Sequence, residues 1–122
     1  MRILLIDDEP GVLENLVLYL EDAYHVVETL GWAEEERKLL EVLERFGPEG
    51  VILDFEMEPG GPEVFRWLTG WSSSIPIAFY TKYAKTQEKR STMIALGVPE
   101  SRIIQKQEIG RDVGLLLRAL GG

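Results

Sequence analysis

An open, doubly wound α/β sheet is the fold this sequence predicts, and three observations predict it. Short apolar runs alternate with amphipathic helical stretches five times along the chain. The connections between them are short, which in βαβ units means parallel strands with helices on both faces. The length of 122 residues is also well below the roughly 250 that a closed barrel of such units needs.

The elements follow in order. Ile3 to Ile6 is a continuous apolar run, the pattern of a strand buried on both faces. Pro10 suits a first helical turn, and Leu13, Leu16, Val17 and Leu20 then recur at helical spacing. His25-Val26-Val27 reads as the second strand. The stretch from Ala33 to Phe46 reads as a helix, with Leu39, Leu40, Leu43 and Phe46 apolar and acidic residues in its first turn, where the helix dipole favours them. Gly47-Pro48 ends it.

Val51-Ile52-Leu53 is the third strand and Ile75 to Tyr80 the fourth. Between them Pro62 opens a helix carrying Val64, Phe65 and Leu68. Thr86 to Leu96 reads as a fourth helix closed by Gly97, and Ile103-Ile104 as a brief fifth strand. Ile109, Val113, Leu116, Leu117 and Leu120 form the clearest helical stripe of the chain. A single domain over residues 1–122 is expected, with no repeat and no linker.

Composition narrows the chemistry. The chain has no cysteine and one histidine, His25, which removes thiol chemistry and the usual nitrogen and sulfur zinc sites. A metal here is expected to be a hard cation held by oxygen. The formal charge of −8 opposes binding of DNA or RNA by this chain. The apolar run after Met1 is too short for a signal peptide, no stretch approaches membrane-spanning length, and a cytoplasmic location is expected.

Open parallel sheets place their sites beyond the carboxyl ends of the strands. Here those ends carry Asp7 and Asp8, Asp54, Thr81 and, one residue past the fifth strand, Lys106. Each residue alone is ordinary: an acid after a strand is commonly a helix cap, and a lone lysine a solvated charge. Together they put three carboxylates, a hydroxyl and an ammonium on one rim. Crowded carboxylates repel unless a cation joins them, and magnesium bridges carboxylates to phosphate oxygens. A carboxylate beside magnesium and facing a lysine can attack a phosphoryl group.

This constellation resembles the receiver domains of response regulators, the CheY-like family of two-component signalling. The resemblance covers essentially the whole chain and includes Met57, Gly61, Glu63 and Val64 after the central aspartate. It implies a flavodoxin-like sheet of five strands in the order 2-1-3-4-5 with five helices. It also implies that Asp54 is the phosphoacceptor, that Asp7, Asp8, Asp54 and the backbone carbonyl of Glu56 hold Mg2+, and that Thr81 and Lys106 bind the phosphoryl group. The implied partners are a histidine kinase or phosphotransfer protein and an output partner or output domain. No enzymatic action on outside substrates is expected beyond self-phosphorylation and autodephosphorylation.

The sequence departs from the family pattern around the switch. Glu58 stands between Met57 and Pro59, Lys82 and Tyr83 follow the threonine where a small residue is usual, and Gln107 replaces the proline after the lysine. Ile103 occupies the aromatic switch position. These departures keep open a second reading, a receiver-like constitutive interaction module with a degenerate switch. Among weaker features, Lys82, Lys85, Lys89 and Arg90 gather basic charge on one segment, which is either a solvated face or a docking patch for an acidic partner. Trp32, Trp67 and Trp71 are open between core and surface.

Overall fold

A computed structural model describes residues 1–31, 35–56 and 60–121. Its elements are β1 (Arg2–Ile6), α1 (Pro10–Asp22), β2 (Val26–Leu30), α2 (Glu36–Phe46), β3 (Gly50–Leu53), α3 (Gly61–Trp71), β4 (Ile77–Thr81), α4 (Gln87–Ala95), β5 (Ile103–Gln105) and α5 (Ile109–Ala119), with a 3-10 turn over Glu100–Arg102. The sheet is parallel throughout and ordered β2-β1-β3-β4-β5. The expected doubly wound fold, with this strand order and five helices, is the observed one.

The strict period of two along the strands divides the core between the two faces. Leu4, Ile6, Val51, Leu53, Ile77 and Phe79 face α2, α3 and α4, where Leu39, Leu43, Val64, Leu68 and Met93 are buried against them. Ile3, Leu5, Ile52, Ala78 and Tyr80 face α1 and α5, meeting Leu16, Leu20, Val113, Leu116 and Leu120. Every residue of β3 and β4 is buried, as a central strand covered on both faces requires.

The larger boundary differences from the sequence reading are in the second and fourth strands. The second strand begins at Val26 and continues through Glu28 and Thr29 to Leu30; it is an edge strand, where polar side chains reach water and an apolar run is not required. The fourth begins at Ile77 rather than Ile75, because Pro76 has no N–H to give the ladder, although its carbonyl accepts the Val51 N–H at 3.0 Å. The described part of the second helix begins at Glu36, and the expected start at Ala33 lies outside the described residues. Trp67 and Trp71 are half-buried against the α2–α4 face; Trp32 also lies outside the described residues.

The sheet's hydrogen bonding continues one residue past the strands and so fixes the rim. Asp7 N–H donates to the Leu30 carbonyl at 3.3 Å, Asp54 N–H to Ile6 at 2.9 Å and Lys106 N–H to Thr81 at 2.8 Å. The backbones carrying the three charged residues are therefore registered to one another before any side chain is considered.

Candidate functional site

Asp7, Asp54 and Thr81 are buried at this rim, exposed by 4%, 4% and 0%. Burying two carboxylates is costly unless a cation or hydrogen bonds compensate. Lys106 supplies the charge. Its ammonium lies 2.8 Å from Asp7 Oδ2, 3.4 Å from Glu9 Oε1 and 3.6 Å from Asp54 Oδ1.

Of the residues expected here, Asp7, Asp54 and Lys106 are brought together, and Thr81 adjoins them at the end of β4. Asp8 is exposed. Among the described residues, the acids that each bring one oxygen within 4.8 Å of the others are Asp7, Asp54 and Glu9. Glu9 was not anticipated. Asp7 Oδ1 accepts the Glu9 N–H at 2.9 Å, a tight turn that returns Glu9 to the site and leaves Asp8 at its tip. Glu9 also pairs with Lys82 at 3.3 Å. The signal was present in the run Asp7-Asp8-Glu9, but an acid before Pro10 also reads as an ordinary helix start.

One ammonium does not neutralise three carboxylates, and burial adds to the cost of ionising the two deepest of them, Asp7 and Asp54. Burial, followed by the charge of Asp7, pushes the Asp54 carboxyl up to about 7; Lys106 and the Glu56 N–H work against this, and Asp8 adds to it. Burial likewise raises Asp7, although Lys106 and the Glu9 N–H oppose it. Burial works to lower Lys106, but the hydrogen bond it donates to Asp7 and the charges of Asp54, Asp7 and Glu9 outweigh it and leave its pKa raised. Glu9 moves down: its slight desolvation is outweighed by Lys106 and Lys82. A net-negative, oxygen-lined, largely buried cluster fits a small hard divalent cation by the chemistry of its donors.

Around this centre the sequence makes two further arrangements. After β3 the chain must turn sharply into α3, and Gly61 closes that turn, its N–H donating to the Phe55 carbonyl at 2.9 Å. A Cβ at position 61 would lie 2.7 Å from Phe55 Cα and 2.9 Å from the Asp54 carbonyl oxygen. Only glycine permits that approach. Met57, Glu58 and Pro59, which the sequence reading placed in the same turn, lie outside the described residues.

After β4, Thr81 Oγ1 accepts the Tyr83 N–H at 3.1 Å, which leaves the hydroxyl proton available to donate. Lys89 on α4 ties the two loops together: its ammonium lies 2.6 Å from the Glu56 carboxylate and 3.5 Å above the Tyr83 ring centroid. Ile103 is buried within the α2–α4 face, in register with Phe79.

The family model for the response regulator receiver domain matches residues 3–111. Over 90 residues the chain is 32% identical to a protein-glutamate methylesterase/protein-glutamine glutaminase of Treponema denticola; the match takes in 73% of this chain and 24% of that protein, so the chain spans about a quarter of its relative's length. Among solved structures, the chemotaxis protein CheY4 of Vibrio cholerae superposes with a TM-score of 0.78 at 23% identity, over 98% of this chain and 95% of that one. The HemR receiver domain of Leptospira biflexa superposes with a TM-score of 0.77 at 24% identity, over 99% and 94%. At such identities the superpositions speak for the fold. Among the described residues, no helix is long and apolar enough to cross a membrane. With the family model matched across nearly its whole length, this chain belongs to the response regulator receiver domain family of two-component signalling.

Proposed function

We propose that residues 1–122 form a single receiver domain that works as a phosphoacceptor switch, with Asp54 as the nucleophile. The observation that carries this reading is the placement of Asp54: a buried carboxylate, pushed up to about 7, with the Lys106 ammonium 3.6 Å away and two further carboxylates beside it. A carboxylate whose charge is disfavoured by burial and by a neighbouring acid is a strong nucleophile when ionised, and the Lys106 ammonium beside it can offset the negative charge of the phosphoryl group it takes up.

In the reaction, a carboxylate oxygen of Asp54 attacks the phosphorus of a phosphodonor. The bond from phosphorus to the donor's leaving atom breaks, that atom keeps the electron pair, and an aspartyl phosphate forms. Lys106 leaves its pairing with Asp7 to face the phosphoryl oxygens, and Thr81 donates its hydroxyl proton to one of them. Asp7, Asp8, Asp54 and the Glu56 carbonyl would hold magnesium, which would supply neutralisation of the phosphoryl charge. Glu9 keeps Lys82 and Lys106 at the rim until then. The phosphodonor is a histidine kinase or phosphotransfer protein, the output is a partner or a linked domain, and the setting is the cytoplasm.

Ile103 favours a second reading, in which the domain is a constitutive interaction module with a degenerate switch. Its side chain is packed in the core and β-branched, so its rotamer choices are few. Incubation with acetyl phosphate and magnesium tests the first reading: intact mass should show one added phosphoryl group, absent without magnesium and absent in Asp54→Asn. Uptake by Asp54→Asn at the rate of the unchanged chain would refute it. Uptake without any change in amide chemical shifts beyond the rim would favour the second.

A further inference from the structure

Behind the site lies a buried polar pair that the proposed reaction does not use. Tyr80, on β4, donates its hydroxyl to Asp112 Oδ2 at 2.6 Å, with the two residues exposed by 1% each. The same carboxylate oxygen accepts the Gln107 N–H at 2.9 Å. No cation pairs with Asp112 among the described residues, so these bonds are what compensate its burial. A hydrogen-bonded buried network of this kind rigidifies the groups it joins.

What it fixes is the backbone of Lys106. The peptide group before Lys106 is held by its N–H to the Thr81 carbonyl, 2.8 Å. The peptide group after it is held by the Gln107 N–H to Asp112. With both flanking peptide planes pinned, the direction in which the lysine leaves the chain is set. The Tyr80 ring then walls one side of its path, 5.9 Å from the ammonium. A proline at position 107 could not make the Asp112 contact, because it has no N–H.

We infer that Asp112, oriented by Tyr80, is a positioning residue that aims Lys106 at the acceptor site through the Gln107 peptide. This rests on the reading of Asp54 as phosphoacceptor. The brace acts on the lysine and not on the carboxylates that would hold magnesium, so the two kinds of binding should separate. Burial, and then the bond to Asp112, raise the Tyr80 hydroxyl above its ordinary value, so the tyrosine stays a donor throughout the working range.

The test uses Asp112→Asn and the milder Tyr80→Phe, which removes one oxygen and keeps the ring. Beryllium fluoride at saturating magnesium serves as the phosphoryl mimic, and the 15N resonance of the Lys106 ammonium, assigned with Lys106→Arg, reports the lysine directly. Asp112→Asn should weaken beryllium fluoride binding by about tenfold, less than the roughly hundredfold that a misplacement of about 1 Å can cost, because the lysine keeps its carboxylate partners. Magnesium binding should not weaken, and the Lys106 resonance should shift while that of Lys82 stays. Tyr80→Phe should move the same two readouts less far, and it carries the test if Asp112→Asn does not fold. An unmoved Lys106 resonance with unchanged beryllium fluoride affinity in a folded variant overturns the inference and leaves the phosphoacceptor reading standing. A moved Lys106 resonance in a chain that never binds beryllium fluoride supports the brace and refutes the acceptor reading instead.

Discussion

Lys106 Nζ and Asp7 Oδ2 are 2.8 Å apart, both side chains nearly sealed from solvent. This pair joins the ends of β1 and β5, yet it places an ammonium among carboxylates that a divalent cation would need. The two roles predict opposite responses to one substitution. Lys106→Met should lower the stability of the metal-free protein by roughly 3 kcal/mol, the usual cost of stranding a buried charge. It should also tighten magnesium binding, because the competing cation is gone. Urea unfolding with and without magnesium measures both; weaker magnesium binding in the variant would contradict the competition.

The choice between Asp8 and Glu9 is open to direct measurement. At a hundredfold excess over its Kd, magnesium should stabilise the fold by about 2.7 kcal/mol. Asp8→Ala should abolish that gain. Glu9→Ala should retain it, since Glu9 is engaged with Lys82 and Lys106. The reverse pattern in melting temperature would move the ligand role to Glu9.

The raised Asp54 carboxyl fixes the sign of a pH effect in metal-free protein. Its folded value, about 7, lies above the ordinary 3.8, so the folded chain holds a proton that the unfolded chain has released. This contribution to stability is present below about 4, declines as pH rises, and is lost above about 7. Asp54→Asn cannot ionise, so it should raise Tm at pH 8 and lose that advantage near pH 4. A gain that is equal at both ends would separate it from ionisation.

Much of this was legible in the sequence. Buried parallel strands read as unbroken apolar runs, so Ile3–Ile6 and Val51–Leu53 marked themselves and placed Asp7 and Asp54 at adjacent strand ends. β2 was harder, because an edge strand tolerates Glu28 and Thr29 and gives no such run. Asp112 was missed for another reason. An acid in the first turn of a helix usually serves only the helix dipole, and no local spacing reveals its bond to Tyr80, 32 residues away. Glu9 needed the Asp7 turn to reveal it, since direction at a strand end depends on the backbone as much as on residue type.

Gly61 tests the geometry of the acceptor turn. Gly61→Ala drives a methyl group into the backbone of Phe55 and Asp54. It should cost about 1–3 kcal/mol, the usual cost of overpacking, and slow phosphoryl uptake by displacing Asp54. Gly70→Ala, where nothing lies within 4 Å of the added carbon, is the control and should leave uptake unchanged. Equal effects at the two positions would argue against a special turn.

Transmission should run through the loop after Thr81 and not through β5. Thr81 Oγ1 holds the Tyr83 N–H, and Lys89 joins Tyr83 to Glu56. Any displacement of that hydroxyl toward the phosphoryl group is passed to Tyr83 through the N–H it holds, so beryllium fluoride should shift the amides of residues 82–86 more than those near Ile103. Lys89→Ala should reduce the shifts on α4. Changes concentrated at Ile103 and α5 would assign the movement elsewhere.

Borohydride trapping tests most directly whether Asp54 carries the phosphoryl group. Borohydride reduces an acyl phosphate to an alcohol, converting the phosphorylated aspartate to homoserine, which peptide mass spectrometry locates. After treatment with acetyl phosphate and magnesium, homoserine should be found at position 54 and nowhere else. Homoserine at position 7 or 8, with position 54 still aspartate, would contradict the account.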